Sequence, residues 1–317
     1  MEKKVLVTGA GGFIGANLAR ALLARGDQVH ILSRTKNFQW RLSDIKSKLK
    51  PHYIIEINDR TGMSGLIKSI QPEQVFHLAQ YGGNPGEDDP VMVEKVMVAG
   101  TAAVFESCAE VSAIKSIVNI GSFLEYGEKS ASIKESMPLQ PNTVYGCAKA
   151  WSTLYGQYLA KQKSVPITTL RPTFVFGPWQ QAGRFIAAAI LSSLSGKPVK
   201  ISNLNTVRDF IFVDDVIKAI ILAADRPCPG EVINIGFGKQ MTLKKTADMI
   251  LKFTKSDSGI ELGITGRSFD KSNAVWQADI SKAKKLLGWK PKFSQKEAII
   301  KTIEWFNESK KLYKTNI

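Results

Sequence analysis

Cysteine is scarce in this chain. Three cysteines in 317 residues, Cys108, Cys147 and Cys228, make no disulfide framework. No metal-ligand spacing occurs either, and no metal is expected. Long apolar runs are missing too. The longest apolar helical stretch, residues 185–194, is too short and too rich in serine to span a bilayer. The N-terminus leads straight into a strand, so no signal peptide is expected. Internal repeats and low-complexity segments do not occur. These absences together point to a cytoplasmic globular protein, long enough for one large or two smaller domains. Acidic residues are the last shortage: 28 against 43 lysines and arginines leave a net charge of +15. Such a balance suits nucleic acid, an anionic membrane or small anions. No nucleic-acid motif accompanies it. The C-terminal lysines Lys282, Lys284, Lys285, Lys290 and Lys292 read as solvated helix faces. Small anionic molecules are the expected partners, with no role for nucleic acid or membrane.

What is present begins at the N-terminus. The apolar run Val5-Leu6-Val7 is followed by Thr8-Gly9-Ala10-Gly11-Gly12-Phe13-Ile14-Gly15. A buried strand, a glycine turn and a helix start make a phosphate-binding corner. Gly9 lets the chain turn sharply, Gly12 removes a side chain where backbone must approach a pyrophosphate, and Gly15 lets the new helix pack closely on the sheet. The helix start offers N–H groups and a positive dipole end. Phe13, Ile14, Leu18, Leu22 and Leu23 repeat at helical spacing, and Gly26 ends the helix. The corner predicts a bound dinucleotide, with Gly9, Gly11, Gly12, Phe13, Ile14 and Gly15 lining it.

The second strand, residues 28–32, lacks the carboxylate that would accept from both adenosine ribose hydroxyls and favour NAD. Ser33-Arg34-Thr35-Lys36 stands there instead. Ser33 and Arg34 therefore predict NADP over NAD, the cations neutralising a 2′-phosphate; NAD is the alternative.

A second signal lies downstream. Tyr145 and Lys149 are four apart in a predicted helix, one turn apart on one face. A tyrosine with pKa about 10 is a poor base at neutral pH, and a nearby ammonium favours its phenolate. Such a pair exchanges a proton with a carbinol or ketone oxygen while hydride moves to or from nicotinamide. Upstream, the predicted strand Ile117-Val118-Asn119-Ile120 ends in Gly121-Ser122, at the edge where doubly wound sheets hold ligands. Ser122 can bond the same substrate oxygen.

With the glycine turn, Ser122, Tyr145 and Lys149 in this order, the chain resembles the extended short-chain dehydrogenase/reductase family, in particular its nucleotide-sugar branch. The resemblance covers nearly the whole chain. It implies that Leu78 and Ala79, at the end of the fourth strand, lie near the cofactor, and that Asp59 contacts the adenine. Arg208, within Val207-Arg208-Asp209-Phe210-Ile211-Phe212-Val213-Asp214-Asp215, resembles the arginine that reaches a sugar-nucleotide diphosphate. Arg267 with Asp270 resembles a second contact, and Tyr81 and Phe185 are further substrate candidates. Arginines suit a diphosphate because each offers several donors and a permanent charge. Relatives often form homodimers through the helices containing Tyr145 and following Gly86.

Strands near residues 3–8, 28–33, 53–57, 74–79, 115–120 and 166–170 alternate with helices. That alternation predicts an α/β fold, a Rossmann-type doubly wound parallel sheet. By resemblance, the dinucleotide-binding domain covers residues 1–170 plus about 208–235. A smaller C-terminal substrate domain takes about 171–207 and 236–317.

Departures from the family pattern narrow the chemistry. Its sugar dehydratases carry an acid two positions before the tyrosine of a Tyr-Gly pair; here that position is Leu124, with Glu125 displaced by one. Dehydration is disfavoured. The expected reaction is 4-ketoreduction of a 4-keto-6-deoxy sugar nucleotide by NADPH. The alternative is a 4-epimerase with tightly bound NAD, and more remotely a non-catalytic nucleotide sensor. Met97 also stands where the family often has an asparagine, which removes one proton relay.

Overall fold

The computed structural model describes residues 2–33, 40–53, 56–83, 87, 89–263 and 274–314. The first half alternates strand and helix: β1 (Lys4–Thr8), α1 (Phe13–Ala24), β2 (Gln28–Ser33), β3 (Lys50–Tyr53), α2 (Arg60–Ile70) and β4 (Gln74–His77). Then come α3 (Pro90–Val93), a π-turn (Glu94–Ala99), α4 (Gly100–Ala109), β5 (Ser116–Ile120), α5 (Val144–Lys163) and β6 (Ile167–Pro172). The remainder comprises β7 (Phe174–Phe176), α6 (Phe185–Ser193), β8 (Val199–Ile201), β9 (Val207–Arg208), β10 (Phe210–Phe212), α7 (Val213–Asp225) and β11 (Val232–Ile235). It closes with β12 (Met241–Thr242), α8 (Leu243–Thr254), β13 (Ile260–Leu262), α9 (Ser281–Leu287), α10 (Gln295–Glu308) and α11 (Lys310–Lys314).

Seven strands form one parallel sheet in the order β11-β6-β5-β4-β1-β2-β3. Strand direction alternates side chains between faces. Val5 and Val7 join the core shared with Leu18, Leu22, Val216 and Ile220 of α1 and α7. Leu6 joins the opposite core, with Met63, Ile67, Val104 and Phe105 of α2 and α4. Burial on both faces explains why β4, β5 and β6 are buried along their whole length. The expected α/β class with a Rossmann-type sheet is the one observed.

The third strand departs from expectation. It runs Lys50–Tyr53, pairing with β2 from His30↔Lys50 to Ser33↔Tyr53, rather than starting at Tyr53. Pro51 is tolerated because β3 is the sheet edge, where a missing N–H costs no ladder bond. After β6 the chain makes three two-stranded pairs, β7 with β10, β9 with β12 and β8 with β13. Between them α7 packs on β5 and β6, and β11 adds the seventh strand beside β6. The candidate site lies at the C-terminal ends of β1, β4 and β5.

Candidate active site

The glycine corner is built from backbone contacts. Gly9 has φ 71°, and a Cβ added there would lie 2.6 Å from the Ala79 nitrogen and 2.7 Å from the Leu78 carbonyl oxygen. Only glycine lets β1 turn against the end of β4. Gly15 faces the turn itself: an added Cβ would be 2.2 Å from the Gly9 carbonyl oxygen. Gly15 therefore closes the helix onto the turn, not onto the sheet as expected. Gly12 is the exposed N-cap of α1, with no side chain capping the helix and no acid in its first turn. Phe13 and Ile14 follow in that first turn, Phe13 buried and Ile14 half-buried. A Cβ on Gly12 would meet only the Gly9 oxygen, at 3.2 Å, so open space lies before the helix dipole. These residues fit a pyrophosphate.

A buried histidine fixes this corner from below. Thr8 Oγ1 accepts from the Leu78 and Ala79 N–H groups, each at 3.2 Å. Its remaining proton points to His77 Nδ1 at 2.8 Å, which leaves Nε2–H to donate to Thr101 Oγ1 at 3.0 Å. Burial, reinforced by the Lys149 charge, holds the imidazole neutral, its pKa lowered to about 3.

Tyr145 and Lys149 sit in α5, whose N-cap Thr143 accepts from the Gly146 N–H at 3.0 Å. A Cβ on Gly146 would come 2.8 Å from the Leu124 carbonyl oxygen, so the helix start packs directly on the turn that follows Ser122. Lys149 is buried. Its ammonium donates to the Ile120 carbonyl at 2.6 Å and lies 5.8 Å from the Tyr145 ring centroid. Burial lowers its pKa to about 8, against the opposing pull of Glu125. The Tyr145 hydroxyl, half-buried, donates to Gln80 Oε1 at 3.0 Å. Ser122 is the N-cap of a 3₁₀ turn (Phe123–Glu125), and its Oγ accepts from the Leu124 N–H at 3.2 Å. The sequence-predicted triad is thus gathered on one strand end and one helix start. Gln80 was not singled out there; its position just after β4 was the available signal.

Glu125 is fully buried and turned away from the cleft. Its Oε1 accepts from the Ser122 N–H at 2.7 Å, and its Oε2 from Arg171 Nε at 2.7 Å and Thr153 Oγ1 at 2.8 Å. Leu124 packs in the apolar cluster of Phe123, Tyr126 and Trp276. Neither is a proton donor to the cleft. Met97, buried in the π-turn, packs with Val93 and Ala148 beneath Tyr81 and Tyr145.

Arg208, in β9, is buried, with its guanidinium 4.8 Å from the Phe174 ring centroid and 5.7 Å from that of Trp276. Its neighbour Asp209 accepts from the N–H groups of Phe237, Gly238 and Ala278, which anchors the Trp276 segment beside Arg208. Phe185 stacks on Phe210 at 6.0 Å. Asp214 and Asp215 open α7, and the Asp215 carboxylate is spent on the Lys292 and Phe293 N–H groups.

Residues 5–236 match the model of the NAD dependent epimerase/dehydratase family. The chain belongs to that family. It is 29% identical to the UDP-glucose 4-epimerase of Mycolicibacterium smegmatis, over 96% of this chain and 98% of the relative. Among solved structures it is similar to the UDP-glucose 4-epimerase of Thermotoga maritima bound to UDP-glucose. The TM-score is 0.89, with 26% identity over 96% of this chain and 99% of that one. It is also similar to the UDP-glucuronic acid 4-epimerase of Bacillus cereus in complex with UDP-glucuronic acid and NAD. There the TM-score is 0.83, with 26% identity over 96% and 99% of the two chains. The protein is an enzyme of the nucleotide-sugar branch of the extended short-chain dehydrogenase/reductases, NAD(P)-dependent as a class.

Within this family member, some expected contacts shift. The Asp59 carboxylate is the N-cap of α2, accepting from the Gly62 N–H at 3.0 Å on one oxygen. The acid preceding it, Glu56, pairs with Lys95. Arg34, Thr35, Lys36, Gly86, Arg267 and Asp270 lie outside the described residues. Ser33 ends β2 opposite Tyr53. Arg41 is a cation that the sequence reading passed over. Its Nε donates to the Trp179 carbonyl at 2.8 Å, and its NH1 approaches the Gly11 carbonyl at 3.5 Å. Trp179 itself packs among Trp40, Trp305 and the Arg20 guanidinium, and Gln180 accepts from the Tyr313 hydroxyl.

Proposed function

We propose that the protein is a nucleotide-sugar 4-epimerase that holds NAD. The carrying observation is the meeting of Tyr145, Lys149 and Ser122 beside a glycine turn shaped for a dinucleotide. NAD, when bound, supplies a hydride acceptor that takes the C4 hydrogen and returns it to the other face. Tyr145 takes the C4 hydroxyl proton and gives it back. Lys149 favours the phenolate by its charge, and Ser122 orients the sugar oxygen. Arg208 binds the diphosphate, held flat by Phe174 and Trp276. The names of similar proteins favour this over the 4-ketoreduction expected from the sequence, and make UDP-hexoses the first substrates to try. Leu124 at the dehydratase acid position, with Glu125 turned inward, leaves no group to remove water.

One observation favours reduction with NADPH as the second reading. No carboxylate stands at Ser33, and the Arg41 guanidinium lies by Gly11. The substrate domain is read as the β7–β10, β9–β12 and β8–β13 region, facing the sheet edge across the cleft. A homodimer would cover Val91 of α3 and Val144, Leu154 and Tyr158 of α5, all exposed.

The test separates the two reactions. The purified protein is freed of nothing, and its nucleotide is extracted and identified. It is then incubated with UDP-glucose alone, and UDP-galactose is sought by chromatography. Retained NAD and interconversion without added cofactor are expected. Protein that lacks NAD and consumes NADPH only with a 4-keto-6-deoxy sugar nucleotide would overturn the epimerase reading.

A further inference from the structure

The turn after β4 reaches the reactive hydroxyl. Gln80 Oε1 accepts from the Tyr145 hydroxyl at 3.0 Å. The carboxamide is held in place by its surroundings. A Cβ added to Gly83 would lie 2.8 Å from Gln80 Nε2, so the amide packs directly on that backbone. Gly82 has φ 83°, and a Cβ there would lie 3.2 Å from Val93 Cγ2 and 3.6 Å from Tyr145 Cβ. Arg184, the N-cap residue of α6, donates to the Gly83 carbonyl. Turn, tyrosine and α6 therefore form one chain of contacts across the cleft. Lys149, meanwhile, donates a hydrogen bond from its ammonium to the Ile120 carbonyl.

A phenol that donates to an amide oxygen is stabilised with its proton on. We propose that Gln80 is a positioning residue for Tyr145: it accepts from the phenol and aims that hydroxyl across the cleft from the turn after β4. This rests on the acid/base reading of Tyr145. Other charged or titratable groups surround the hydroxyl. Lys149 is on the same helix, Arg184 and Glu87 flank the turn, and Tyr81 packs beside the ring. Glu94 and Lys95 are on the neighbouring π-turn, with Lys95 paired to Glu56. Gln80 is the neutral one that touches the reacting oxygen.

Tyrosinate absorbance is titrated in the NAD-loaded protein carrying Gln80→Leu or Gln80→Glu. Each variant is referenced to the same variant with Tyr145→Phe, which isolates Tyr145. Gln80→Leu removes the acceptor and is expected to lower the half-titration pH by about one pH unit, about tenfold in acidity. Gln80→Glu keeps an acceptor, adds negative charge and is expected to raise it. Gln80 is exposed, so folding is expected to survive either change. An unchanged half-titration in both variants overturns the proposal. If the titration moves while the pH dependence of kcat/KM does not follow, the Gln80 assignment stands and the acid/base reading of Tyr145 fails.

Discussion

Glu125 and Arg171 form an ion pair at 2.7 Å with 0% and 3% of their side chains exposed. The carboxylate ties two pieces of the site together: the Ser122 backbone on one oxygen and Thr153 of α5 on the other. Thr153 lies one turn beyond Lys149, so the pair sets the spacing between the serine strand end and the tyrosine helix. Burial pushes the Glu125 carboxyl up, against Arg171 and the hydrogen-bond donors that pull it down. A buried pair of this kind carries a desolvation cost even when intact, and splitting it costs more still, because one charge is left uncompensated.

Glu125→Leu is therefore expected to destabilise the protein by about 3–5 kcal/mol, since it leaves the Arg171 cation buried without a carboxylate, held only by the Tyr126 hydroxyl and ring. The double variant Glu125→Leu/Arg171→Met should recover part of that loss. Urea unfolding measures both. Equal stability of the single variant and the parent would remove the pair from its structural role.

The Lys149 ammonium, lowered to about 8 by burial, is charged below that pH and neutral above it. Its support for the Tyr145 phenolate is then lost as pH rises through about 8. The kcat/KM of the parent is expected to fall on that alkaline limb. Lys149→Arg keeps a charge at all accessible pH and should move the limb upward while lowering the maximum. A limb at the same pH in Lys149→Arg would assign it to another group.

Arg208→Ala is expected to weaken binding of a nucleotide diphosphate by roughly ten- to a hundredfold, about 1.5–3 kcal/mol. Cofactor binding should stay unchanged. Arg208→Lys should rescue little, because an ammonium lacks the planar fork that lies on Phe174 and Trp276. Titration calorimetry with UDP, at low and high salt, decides it. Salt should weaken binding in the parent more than in Arg208→Ala.

His77 gives a stability prediction with a definite sign. Its folded pKa of about 3 lies below the unfolded value near 6.5. Between those values the unfolded chain binds a proton that the folded chain refuses, so stability falls as pH drops through that window. His77→Gln should unfold at lower temperature than the parent at neutral pH, having lost a fitted hydrogen-bond chain, but its Tm should fall less between pH 7 and pH 4. Differential scanning calorimetry at the two pH values tests this; parallel losses in both proteins would exclude His77 as the titrating group.

Local pattern determined the glycine corner, α1, the buried strands and the Tyr145–Lys149 turn. In each case the physics is short-range: φ above zero at Gly9, period-2 and period-3.6 burial, and residues four apart on a helix. The expected third strand started at Tyr53, whereas β3 starts at Lys50 and runs through Pro51, which its edge position allows, and edge position is a tertiary property. The same limit governed the side chains. Asp59, which the resemblance implies contacts the adenine, also caps α2 through the Gly62 N–H, a role its sequence position alone did not show. Trp179 meets Trp305 only because the C-terminal helix docks there. Gln80 lies 65 positions from Tyr145 and Arg171 lies 46 from Glu125. No periodicity links such pairs. Only the parallel sheet, which lines up the ends of β4, β5 and β6, places them within hydrogen-bond reach.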